Sequence, residues 1–157
     1  KILRERMQNK LTKEQIEKLI PHRHPFLFLD ELINIKRLET ATGINIFSNN
    51  EEFFKGHFPG HPIVPGVILI EMMAQAGAAL IAYSIKEETT DKIVYLMNVE
   101  KTKFRKPVFP NQKIYTNVKA LRSKGRVWRL EGKTYNDKDI LICEATWSAM
   151  IMDRNHE

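Results

Sequence analysis

The chain has 157 residues, 43% hydrophobic and 28% charged, with a formal net charge of +6 and a pI near 9.4, which fits one folded domain with one core. Seven glycines and seven prolines exclude a low-complexity chain, a single cysteine excludes an internal disulfide and fits a reducing compartment, and the N-terminal KILRERMQNK has no apolar run of a secretory signal. The positive charge points to an acidic partner, with nucleic acid, anionic lipid and an acidic carrier protein all meeting that description.

The chain begins at Lys1 rather than Met, and residues 1–10 are expected to be an extension of a single domain spanning 1–157, with Met7 a candidate natural start. Leu11 to Ile20 is predicted to be a short helix, because Thr12 and Gln15 have the spacing of a capping box and Pro21 stops it. Phe26 to Ile35 is rich in strand formers, and Thr40 to Phe47 is expected to be its hairpin partner. Glu51 to Phe54 leads into a loop punctuated by proline and glycine that carries His57 and His61 and ends at Pro65-Gly66.

The next stretch organises the rest. From Val67 to Ala82 every residue is apolar or glycine except Glu71 and Gln75, so the pattern predicts a helix, ~24 Å long, enclosed by the rest of the fold. It is read as a core helix and not a membrane span, being short and carrying Glu71. Glu71 and Gln75 stand four apart, on one helical face, where an amide can orient a carboxylate. A polar connection, Lys86 to Lys92, follows, and then strands at Ile93 to Val108, Gln112 to Arg122, Arg126 to Tyr135 and Ile140 to Met152, pairing as neighbours in a meander. The fold class is therefore α+β: an antiparallel sheet of five or six strands around one apolar helix. One sheet cannot cover that helix on every side, so at least a homodimer is expected.

A histidine, a carboxyl group and a helix N-terminus brought together suit enolate chemistry. His57 would remove a proton alpha to a thioester carbonyl, the N–H groups of Gly66 and Val67 would hold the oxyanion, and Glu71 would protonate a departing beta-hydroxyl. The alternative is that His57 is a turn or packing residue and Glu71 half of a structural ion pair, although no Arg or Lys is near Glu71 in sequence. His22, His24, His57 and His61 raise a metal site, but H-x-H and H-x-x-x-H spacings arise by accident, prolines keep the latter pair off a helix, and no metal is expected. Cys143 in an alternating strand is read as a small buried filler, and Trp128 and Trp147 as strand packing. Lys101, Lys103 and Arg105 alternate along a strand with Lys106 adjacent, and with Arg122, Lys124, Arg126 and Arg129 they make a basic surface without an aromatic stacking platform.

Three blocks, PHRHPFLFLD at Pro21 to Asp30, GHFPGHPIVPGVILIEMMAQAG at Gly56 to Gly77 and KFRKPVFPNQ at Lys103 to Gln112, closely resemble the beta-hydroxyacyl-(acyl carrier protein) dehydratases of bacterial type II fatty acid synthesis, over about Leu11 to Met152. The resemblance implies a hot-dog fold, a cytoplasmic enzyme, dimers often assembled as a trimer into hexamers, and composite sites in which His57 of one chain faces Glu71 of the other. It places the carbonyl-polarising N–H at Gly66 and the support of the carboxyl group at Gln75. It also implies a (3R)-hydroxyacyl substrate on the phosphopantetheine arm of acyl carrier protein, reversible loss of water to a trans-2-enoyl thioester, and no cofactor of the enzyme's own. Glu71 stands where the related dehydratase/isomerase branch has Asp, which favours dehydration without isomerisation. Val64, Leu96-Met97-Asn98-Val99 and Asn111 depart from the usual pattern. Phe58 and Tyr95 are tunnel-mouth candidates, and Lys101, Lys103, Arg105 and Lys106 are candidates for binding the carrier protein. Rival functions are a hot-dog thioesterase, which would not need this His and Glu; a non-catalytic lipid-binding module, which would tolerate loss of His57; and a nucleic-acid binder, which would not need Glu71.

Overall fold

The computed structural model describes residues 9–86 and 91–154. Residues 1–8, most of the expected extension with Met7, and residues 87–90 of the polar connection lie outside the described residues.

Helix α1 (Lys13–Glu17) starts as its sequence dictates. The Thr12 hydroxyl accepts the Gln15 N–H at 3.3 Å and the Thr12 N–H donates to the Gln15 side chain at 2.9 Å. The helix is shorter than predicted for two reasons. Leu11 exchanges backbone hydrogen bonds with Leu32 instead, and the Arg23 guanidinium donates to the carbonyls of Glu17 and Ile20, closing the far end.

Strands β1 (Glu31–Lys36) and β2 (Thr40–Ile46) form the expected hairpin. The first strand was expected to begin at Phe26, but Phe26 to Phe28 are held by side chains instead of a ladder. Gln75 accepts the Phe28 N–H at 2.8 Å and donates to the Phe26 carbonyl at 2.7 Å, while the Asn45 amide donates to the Phe28 carbonyl. A short helix α2 (Phe53–Gly56), not foreseen in the sequence, packs Phe53 edge-on against Phe47, 5.9 Å between centroids, and Phe47 in turn lies 5.8 Å from Phe28. This aromatic chain ties the approach loop to the core.

Helix α3 (Gly66–Ile85) is 20 residues long, ~30 Å, so it exceeds the expected length and has the length and hydropathy of a membrane span. Most of it is nevertheless enclosed: Leu69, Met72, Met73, Ala76 and the run from Ala78 to Ala82 are buried, which is the position of a core helix. Its N-terminal turn is open on one side, with Val67 72% exposed.

Strands β3 (Lys92–Phe104), β4 (Lys113–Lys124), β5 (Val127–Asn136) and β6 (Leu141–Asp153) complete a six-stranded sheet, with the order β1-β2-β4-β5-β6-β3. All ladders are antiparallel. The expected meander holds for β4, β5 and β6 but not for β3, which crosses to the far edge and pairs with β6. Strand β2 takes the place beside β4. The sheet wraps α3, and Gly77 and Gly132 make room there for the Trp147 ring. A Cβ on Gly77 would lie 2.8 Å from Leu130 and 3.0 Å from the Trp147 ring, and one on Gly132 would lie 2.9 Å from Trp147 and 3.1 Å from Met73. Glycine lets helix and sheet meet on the buried indole.

Candidate active site

His57 stands immediately after α2, and its surroundings are built from the loop's own backbone. Its N–H donates to Phe53 at 2.9 Å, its carbonyl accepts the Ile63 N–H at 3.0 Å, and Phe58 and His61 exchange hydrogen bonds around Gly60, whose φ of +74° suits glycine. The Val64 N–H then donates to Val108 at 2.9 Å, fastening the loop to the segment after β3. Within this frame the His57 Nδ1 lies 2.9 Å from the Ile63 carbonyl oxygen. A carbonyl can only accept, so Nδ1 carries the proton and Nε2 of the neutral ring keeps its lone pair.

His57 borders a cavity of about 420 Å³ together with Gly66, Leu69, Phe104, Arg105 and Lys106. Pro65 precedes α3 without a side-chain cap, so the first-turn N–H groups of Gly66 and Val67 are open to a ligand. A Cβ on Gly66 would sit 3.0 Å from the Phe104 ring; glycine keeps this wall of the cavity thin. The Val67 side chain points to solvent, so only its backbone is relevant here. Phe58 stacks on His57 at 4.0 Å between centroids and is itself half exposed, but it does not line the cavity.

Glu71 is not part of this cavity. It lies two residues beyond Leu69, about 160° round the helix from it. Its Oε1 accepts from Gln75 at 3.0 Å and lies 3.5 Å from His22 Nε2. Burial pushes the Glu71 carboxyl up, but hydrogen bonds from His22 and Gln75 and the charge of His22 outweigh it, and the group sits below its ordinary value. Gln75 is fully buried and does more than orient the carboxylate: its amide also anchors the 26–28 segment.

His22 is the contact that sequence reasoning missed, having been weighed only as a metal ligand. The signal was the lack of any cation near Glu71 along the chain, which demands a partner from elsewhere. Among the described residues no three of His, Cys, Asp and Glu gather in metal-binding fashion. Tyr95 lies on the open edge strand, 43% exposed, away from the cavity. The expected alternation of Lys101, Lys103 and Arg105 is broken: the register shifts between Glu100 and Lys103, Lys101 takes φ +51°, and β3 ends before Arg105. Arg105 and Lys106 reach the cavity, Arg105 also pairing with Glu144 at 3.2 Å, while Lys101 and Lys103 are exposed on the strand before them.

A sheet-wrapped helix with a histidine on its approach loop and a glutamate on its flank defines a hot-dog domain with acid-base side chains. Residues 20–146 match the FabA-like domain. The 3-hydroxyacyl-[acyl-carrier-protein] dehydratase FabZ of Sulfurimonas denitrificans is 44% identical over 144 residues, covering 89% of this chain and 96% of that one. The protein of the same name from Rhodospirillum rubrum is 45% identical over 135 residues, covering 86% and 84%. Among solved structures, the dehydratase heterocomplex ApeI:P from Xenorhabdus doucetiae is similar in fold, with a TM-score of 0.76 at 17% identity over 88% of this chain and 91% of that one. A hypothetical thioesterase with coenzyme A from Streptococcus pneumoniae shares the fold at a TM-score of 0.55 and 10% identity, over 76% and 84%. The chain belongs to the FabA-like family, and within it to the FabZ dehydratases, which are hydro-lyases.

Proposed function

We propose that the chain, as one domain, reversibly removes water from a (3R)-hydroxyacyl thioester on acyl carrier protein to give the trans-2-enoyl thioester of fatty acid biosynthesis. The observation that carries this is the His57 ring, fixed by the Ile63 carbonyl so that Nε2 is a base, in a cavity headed by the first-turn N–H groups of α3. His57 takes the C2 proton, and the electron pair moves onto the thioester oxygen, held by Gly66 and Val67. As the enolate collapses, the C3–O bond breaks and Glu71 supplies the proton that makes the departing group water. The steps call for no cofactor beyond the substrate's phosphopantetheine arm.

Glu71 comes from a second copy of the chain. It lies on the opposite flank of α3 from the His57 cavity, and the surfaces that a second copy would cover are open. These are the free edge of β3, with exposed Tyr95, Leu96, Met97 and Val99, and the first turn of α3 at Val67. The assembly is a homodimer with two composite sites, and three such dimers form a hexamer. Arg105 and Lys106 at the cavity and Lys101 and Lys103 beside it offer an acidic carrier protein a positive rim. The location is the cytoplasm, which suits a lone buried thiol.

Adding a trans-2-enoyl thioester and following loss of the conjugated enoyl absorbance tests the activity. Hydration without thiol release is expected; release of free thiol would make the chain a thioesterase, and neither change would leave a binding module.

A further inference from the structure

The environment of Glu71 contains a group that the steps above do not use. His22 Nε2 faces Glu71 Oε1 at 3.5 Å, and the His22 side chain is 16% exposed. Its other nitrogen, Nδ1, is buried without a hydrogen-bond partner among the described residues. An acceptor stands before Nε2 and none before Nδ1, so a proton on Nε2 points at the carboxylate whether the ring carries one proton or two. His22 is held by its neighbours: Pro21 precedes it, and Arg23 draws the His22 carbonyl at 2.7 Å into the closure of α1. Glu71 is thus gripped from two sides, by Gln75 on its own helix and by His22 from the 21–30 segment.

Charged groups from two other elements share a cavity with His22. Lys92 at the start of β3 and Arg154 after β6 line, with His22, a cavity of about 380 Å³, and Lys92 reaches Asp153 at 3.9 Å. His24 is exposed, and the Arg23 guanidinium is turned to the carbonyls of Glu17, Ile20 and His22. Among the described residues His22 is the ionisable side chain that pairs with Glu71.

We propose that His22 is a positioning residue for Glu71, holding the carboxylate oxygen at a fixed point and setting the pH at which it gains a proton. The proposal rests on the dehydratase reading for its catalytic consequence but not for the contact itself. In the hydration direction Glu71 must be a carboxylate to take a proton from water. The acid limb of the hydration profile therefore reports its protonation. The depressed Glu71 carboxyl is what a donor at this position would produce.

The test compares the wild type with His22→Phe, which keeps a ring without a donor, and His22→Gln, which keeps an N–H donor without an ionisable ring. The Glu71 carboxyl is followed by carbon NMR titration, assigned by its loss in Glu71→Gln, and the hydration profile is measured in parallel. In His22→Phe the midpoint and the acid limb should both move up by about one pH unit or more. The kcat should fall roughly 10- to 100-fold, as for a misplaced reacting group, with KM nearly unchanged. His22→Gln should recover most of kcat with a midpoint between the two. An unmoved Glu71 midpoint in whichever variant folds overturns the proposal. A wild type that hydrates no enoyl thioester overturns the dehydratase reading instead, and the titration still decides the role of His22.

Discussion

Cys143 and His57 both lie close to the enclosed helix, yet their neighbours give them opposite reactivities. The thiol is wholly buried, and burial pushes it up to about 11, so it is a packed filler and not a nucleophile. Iodoacetamide should leave the native protein unlabelled at pH 8 and label it once unfolded, which mass spectrometry would read directly. His57→Ala and Glu71→Gln should each reduce turnover by ~100- to 10,000-fold while leaving circular dichroism little changed; near-normal turnover in folded His57→Ala would remove it from the chemistry. Glu71 also links pH to stability. Its folded-state carboxyl is lowered from 4.5, so the unfolded chain binds the proton more readily. The stabilisation is complete above 4.5 and drains away as pH falls below it. The melting temperature of the wild type should therefore drop more steeply between pH 5 and 3 than that of Glu71→Gln, and parallel curves would show that the contacts of the carboxylate do not stabilise the fold.

Local signals made most of the elements legible. The capping box of α1, the apolar run of α3 and the turns that bound β4, β5 and β6 each depend on residues a few positions apart. What the sequence concealed depends on separation. Gln75 meets Phe26 and Phe28 across 49 and 47 residues, His22 meets Glu71 across the same gap, and β3 passes over two strands to find β6. None of these leaves a periodic trace. In the candidate site, Glu71 and Gly66 stood out locally, as a polar side chain in an apolar run and a glycine at a helix start, and His57 as a histidine in the loop that delivers the chain to that helix. The expectation that His57 and Glu71 meet across two copies drew on the all-apolar helix as much as on family resemblance. The Gly77 and Gly132 contacts were equally hidden. Gly132→Ala would press a methyl group into the rigid Trp147 ring and should cost ~1–3 kcal/mol in urea unfolding, with activity retained at low temperature. A neutral change would mean that the indole can shift.

At the level of the assembly, neither copy should work alone. Inactive His57→Ala and inactive Glu71→Gln subunits, mixed under conditions of verified exchange, should recover about a quarter of wild-type activity, since half the dimers would be mixed and each would hold one intact pair. No recovery despite exchange would place both residues in one chain's site. Salt should weaken use of an acidic carrier protein, and Lys103→Glu should do likewise, with turnover of a small thioester unaffected; a salt-independent KM would make the rim mere solvated surface. The crossing of β3 has a further consequence, for the order of synthesis. Its only strand neighbour among the described residues is β6, the last 13-residue strand of the chain. While a ribosome is still translating the segment between them, β3 has nothing to pair with, and the edge at which two copies would meet does not yet exist. Pairing of two copies along this edge would thereby be deferred until β6 has emerged, and a chain cut short before Leu141 would be left with an unpaired apolar strand prone to sticking.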